Sequence, residues 1–129
     1  MKRLLIPMFI ALIVSGPAWG VEYDCPVTHK LDGERVYSAE QLKRFQPVVK
    51  ISDRGKAATL SRCSFSPSRK KVTCDSYETD KIVFDKNVKI KKYYVFSSQF
   101  DVQLYNNLLF VENNGRGTIA YGKCHVVSP

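Results

Sequence analysis

Beyond residue 20 the chain has no uncharged apolar run as long as the one at residues 4–14, and even that run is too short to cross a bilayer core of about 30 Å. No transmembrane segment is expected in the mature chain. Internal repeats, low-complexity tracts and an interdomain linker are missing too. Histidine is scarce, at two residues, which limits metal and acid-base chemistry. Acidic residues are outnumbered, with 12 Asp+Glu against 20 Lys+Arg, a formal charge of +8. No serine or cysteine lies in a local motif that would activate it as a nucleophile, so an enzyme is not expected.

What is present begins with an order typical of export. Lys2 and Arg3 precede the apolar stretch, and Ala18-Trp19-Gly20 places small residues at both positions a signal peptidase reads. Pro7, Gly16 and Pro17 would interrupt a buried helix there. Residues 1–20 are expected to be a cleaved signal peptide and residues 21–129 a single β domain, periplasmic or secreted. A lipid anchor on Cys25 is not expected, because Val21-Glu22-Tyr23-Asp24 separate it from the cleavage point. Without Lys2 and Arg3, 18 Lys+Arg face 12 Asp+Glu, so the mature charge is +6. Such a surface favours anionic partners and also keeps a small protein soluble.

Four cysteines remain, Cys25, Cys63, Cys74 and Cys124. In an oxidising compartment they read as two disulfides, with three possible connectivities. In "TLSRCSFSPSRKKVTCDSY" a turn centred on Ser68-Arg69 places Cys63 opposite Cys74, within disulfide reach across a strand pair. Elimination then joins Cys25 to Cys124. Closing these two loops contributes about 3 and about 4.7 kcal/mol in the chain-entropy model.

Alternation dominates the mature chain. Val21, Tyr23, Cys25 and Val27 share one face of an extended segment, as do Phe100, Val102 and Leu104, and Ile119 with Tyr121. Turn signals separate such segments at Asp32-Gly33, Asp53-Arg54-Gly55, Ser66-Pro67, Asp85-Lys86-Asn87, Asn106-Asn107 and Asn114-Gly115. The expected fold is all-β, a small antiparallel sandwich or barrel of about eight to nine strands. One short helix is expected in "SAEQLKRF", residues 38–45, where Ser38 and Gln41 have capping-box spacing and Pro47 sets the limit.

"GRGTIA", residues 115–120, fits the glycine fingerprint of a dinucleotide-binding turn, which requires a following helix and an acidic residue about 20 positions on. Neither is available: no Asp or Glu follows Gly117, and Thr118, Ile119, Tyr121, Val126 and Val127 favour strand. A two-residue hairpin turn at Asn114-Gly115 is expected instead, with Arg116 at an exposed tip.

His29 and His125 lie close in sequence to Cys25 and Cys124, so a four-ligand zinc site is conceivable, but oxidised cysteines are not ligands. Neither a metal nor a cofactor is expected. The distinctive surface is cationic. Arg69, Lys70 and Lys71 occur in one segment; Lys86, Lys89, Lys91 and Lys92 precede Tyr93, Tyr94 and Phe96 in another. In a strand Lys89, Lys91 and Tyr93 share one face, and Ile90, Lys92 and Tyr94 the other. Lysines beside aromatics suit a polyanion, and lysines also protect edge strands from pairing. The candidate contacts are Lys70, Lys71, Lys89, Lys91, Lys92, Tyr93 and Arg116. A nucleic-acid partner is disfavoured by export and by the lack of a known binding motif.

"EYDC" near the mature start and a terminal "YGKC", with the export signal and a small barrel, resemble the periplasmic inhibitors of c-type lysozyme. The resemblance covers the two chain ends and the architecture, and implies a loop that enters an enzyme cleft. The family's serine-glycine-tyrosine loop motif is missing, and a +6 chain would be repelled by a basic lysozyme. The expected function is an exported, non-enzymatic binding protein of the bacterial envelope or periplasm that recognises an anionic envelope component or an acidic protein. The alternative is a protein-protein inhibitor or immunity-type factor acting through the hairpin loops at Asn106-Asn107 and Asn114-Gly115.

Overall fold

Short alternating segments between frequent turns fold, among the described residues, as eleven strands and one helix. The computed structural model describes residues 20–128; residues 1–19, which hold nearly all of the expected export signal, lie outside the described residues. In chain order the elements are β1 (Val21–Asp32), β2 (Arg35–Val36), α1 (Ala39–Phe45), β3 (Val48–Asp53), β4 (Ala58–Ser66), β5 (Lys71–Glu78), β6 (Lys81–Asp85), β7 (Ile90–Val95), β8 (Phe100–Tyr105), β9 (Leu109–Asn113), β10 (Thr118–Lys123) and β11 (His125–Ser128).

Nine strands form a curled antiparallel sheet, a half-barrel, in the order β5-β4-β3-β1-β10-β9-β8-β7-β6; β2 and β11 add short pairings to β1. β1 makes the curl. Its first half, to Pro26, pairs with β3; from Val27 it pairs with β10, and a register shift falls between Val27 and His29. Gly122, opposite Val27, allows this approach, since a Cβ there would lie 2.0 Å from the Pro26 carbonyl oxygen. At the other end of the sheet β5 runs into β6 through Thr79 and Asp80. The Thr79 N–H donates to the Ala58 carbonyl on β4 at 2.9 Å and the Asp80 N–H to the Tyr94 carbonyl on β7 at 2.8 Å, so the chain itself joins the two edges.

The curl encloses one core in which Val49, Ile51 and Leu60 join Tyr93, Val102 and Phe110. Two ionic couples cross the interior. Asp53 on β3 accepts from the Tyr93 hydroxyl at 2.6 Å and from the Lys91 ammonium, both on β7. Arg62 on β4 meets Glu112 on β9 at 2.9 Å.

Both disulfides, Cys25–Cys124 and Cys63–Cys74, are present, and the β4–β5 register pairs Cys63 with Cys74 and Ser66 with Lys71. α1 starts at Ser38, whose side chain accepts from the Gln41 N–H while the Gln41 side chain accepts from the Ser38 N–H. Ile119 and Tyr121 share one face of β10, as expected; it is the outer, half-buried face, and Ala120 and Gly122 face the core. At Gly122 the Phe110 ring and the Pro26 backbone come so close that a Cβ does not fit. The β9–β10 turn is longer than the two-residue hairpin expected: Asn113 pairs with Ile119, and the Asn114 side chain accepts from the Arg116 and Thr118 N–H groups. Positive φ occurs at Gly115 and Gly117. A strand follows these glycines, not the helix a dinucleotide site needs.

Candidate functional site

The cations singled out in the sequence do not form one surface. Lys91 and Tyr93 share a face, and it is the inner one: Tyr93 has no exposed area, and Lys91 is tied to Asp53. Their chemistry is used inside the molecule, because burial and Asp53 both push the Tyr93 hydroxyl far above its ordinary range. Lys92 lies on the outer side of β7 between Val83 and Gln103, where its charge opposes the effect of burial on Asp101. Lys89 is in the β6–β7 turn with φ 56°.

Lys70, Lys71 and Arg116 are placed differently. Lys70 and Lys71 close the β4–β5 hairpin, which rises from Ser64 beside α1; Ser64 and Phe45 line one cleft. Arg116 is at the β9–β10 tip, which joins the β1–β2 turn through a Gly33 N–H to Gly117 carbonyl bond of 3.1 Å. The structure therefore brings these three toward the end of the molecule that carries β2 and α1.

That end has its own cations. The Lys30 ammonium and the Arg35 guanidinium lie over the Tyr37 ring, at 5.0 and 5.2 Å from its centroid, and the Arg44 guanidinium over Phe45 at 5.6 Å. Among the described residues none of the three has a carboxylate within ion-pair distance, although Asp32 and Glu34 belong to the same turn as Arg35. The aromatic faces attract and orient these cations without neutralising them. Lys30 also borders three adjoining clefts, one reaching into the barrel and two flanking α1.

The inward cleft, of about 180 Å³, ends at Glu112. Burial pushes this carboxyl above its ordinary value, and Arg62 and Lys30 pull it back without cancelling the effect. A raised carboxyl on a cleft could serve as a general acid. Here its partner is the Arg62 guanidinium, and among the described residues no hydroxyl donates to it. The arrangement holds β4 to β9.

The loops of the inhibitor reading are also separated. Asn106-Asn107 precedes β9 and Asn114-Gly115 follows it, so the two turns lie at opposite ends of a strand about 17 Å long. Cys25 and Cys124 are bonded to each other, and among the described residues no three of His, Cys, Asp and Glu converge as metal ligands. The described residues contain no helix long and apolar enough to cross a membrane. Two disulfides fit a secreted or extracellular protein.

Lys30, Arg35, Tyr37 and Arg44 escape a sequence reading that looks for contiguous charge. They are dispersed over "KLDGERVYSAEQLKRF", and the β1–β2 hairpin and α1 gather them. The signal in that segment is the recurrence of a cation next to or near an aromatic. No protein-family model, curated protein or solved structure matches the chain. The likeness to lysozyme inhibitors accordingly stays with the two chain ends.

Proposed function

We propose that the protein is an exported, non-enzymatic binding protein of the cell envelope or periplasm, and that it recognises an anionic partner through the end of the barrel carrying β2 and α1. One observation supports the reading: the Lys30 ammonium and the Arg35 guanidinium lie over the Tyr37 ring, and among the described residues neither has a carboxylate within ion-pair distance. Arg44 extends the positive surface, and Lys70, Lys71 and Arg116 reach it from the neighbouring hairpins. Lys89 and Lys92 add to the long-range field. Lys91 and Tyr93 contribute stability.

The test is retention of envelope components on immobilised protein at low and high salt. Wild type should retain an anionic component that high salt releases, and Lys30→Gln/Arg35→Gln/Arg44→Gln should lose it while Lys89→Gln/Lys92→Gln keeps it. Salt-resistant capture of one protein by both variants would favour the inhibitor reading and contradict this one.

A further inference from the structure

Beside Lys30 and Arg35 the wall of the barrel is mostly apolar. A groove of about 410 Å³ runs between β1, β2, α1 and β10; Leu31, Val36, Tyr37, Ala39, Leu42 and Tyr121 form most of its lining, and Thr28, His29 and Lys30 the polar remainder. We infer that the ligand of this face is a small amphiphilic anion, a medium-chain alkyl carboxylate, whose chain lies in the groove and whose carboxylate meets Lys30 and Arg35. The inference rests on the anion-recognition reading and deepens it.

Three features support this occupant. Of the three clefts described beside Lys30, this groove falls within the size range of small-molecule sites, about 300–1,000 Å³, whereas the other two measure about 180 and 260 Å³. Its lining is mostly apolar although it is open to solvent, and Val36 is 68 % exposed on its rim. An alkyl chain would cover that surface and remove it from water. Lys30 lines the groove and the Arg35 guanidinium lies over the ring of Tyr37, which also lines it; among the described residues neither cation has a carboxylate within ion-pair distance, and this charge complements a carboxylate and repels a cationic amphiphile of the same length. A guanidinium also forms the planar two-point contact that a carboxylate accepts.

The experiment is calorimetric titration of the mature protein with decanoate below its micelle concentration, alongside decyltrimethylammonium and polyphosphate. Decanoate should bind and the cationic amphiphile should not. Arg35→Gln should weaken decanoate binding about tenfold or more. Ala39→Trp, which fills the groove from an exposed position, should abolish decanoate binding and leave polyphosphate binding intact. Both positions are exposed, so unchanged melting curves will show that the variants are folded. If polyphosphate binds through Lys30 and Arg35 but decanoate does not bind, the amphiphile inference fails and the anion reading stands. If neither anion binds, both fail. Equal binding of the two amphiphiles, or decanoate binding that Ala39→Trp leaves unchanged, overturns the inference as well.

Discussion

Asp53 and Glu112 are both buried carboxylates with cationic partners, and their surroundings push them in opposite directions. For Asp53, burial raises the pKa, but hydrogen bonds from Lys91, Tyr93 and the Gly55 N–H outweigh it and hold the carboxyl below its ordinary value. Its contribution to stability is therefore present above the ordinary carboxylate range and lost as the pH falls through the lowered value. For Glu112 burial wins, so its contribution is greatest when it is protonated and declines as the pH rises through the raised value. Asp53→Asn should cost about 3 kcal/mol at neutral pH, since it leaves Lys91 without its partner, and should make the remaining stability less sensitive to acid. Glu112→Gln should cost less and should remove the decline above the ordinary glutamate range. Urea unfolding of wild type and both variants between pH 3 and 7 checks the two slopes, within about that interval of carboxylate titration. Gly115 gives a second prediction at this scale. It has φ 73°, and a Cβ would lie 1.9 Å from the Gln99 carbonyl oxygen, so Gly115→Ala should lower stability by about 3 kcal/mol or more.

Elements differ in how clearly the sequence announces them, and the reason is local in each case. The β4–β5 hairpin is legible because Cys63, Cys74 and the turn between them agree on one register. α1 is legible because Ser38, Gln41 and Pro47 mark its two ends. The turn at residues 96–99 is not, since it contains no Gly, Pro or Asn and uses Gln99 at φ 55°. The bend from β5 to β6 is equally silent, because what holds it is tertiary: carbonyls of β4 and β7 accept its N–H groups. On β10 alternation is legible but its inner face is not, as hydrophobicity selects Ile119 and Tyr121 while the buried face carries Ala120 and the closely packed Gly122. The same distinction governs the candidate site. Lys91 and Tyr93 look like surface residues until Asp53 is found opposite them, and Lys30 and Arg44 look dispersed until α1 folds back on β1. At this scale the disulfides supply a test: removing Cys63–Cys74 by double alanine substitution should cost less than removing Cys25–Cys124, with about 3 and about 4.7 kcal/mol as upper bounds. Denaturant midpoints of the two double variants compare them, and recovery of Cys25 linked to Cys63 in non-reducing peptide mapping would contradict both pairings.

For the whole molecule, the curl matters more than the net charge. It turns several cations inward or toward the Lys89 end and leaves Lys30, Arg35, Arg44, Lys70, Lys71 and Arg116 around the α1 end. Attraction at that end extends over a screening length of about 8 Å at physiological ionic strength, so its contribution to binding must fall with salt. A formal charge spread evenly over the barrel would make every lysine equivalent. The proposed face makes them unequal, and that inequality separates the account from non-specific attraction by a basic protein. The most direct measurement is a polyphosphate binding titration repeated over a series of salt concentrations for wild type, Lys30→Gln/Arg35→Gln/Arg44→Gln and Lys89→Gln/Lys92→Gln. The account predicts that the α1-end variant binds at least about tenfold more weakly than wild type and shows a shallower salt dependence, while the second variant stays within about twofold of wild type. Equal losses in the two variants, in proportion to the charge removed, would contradict it.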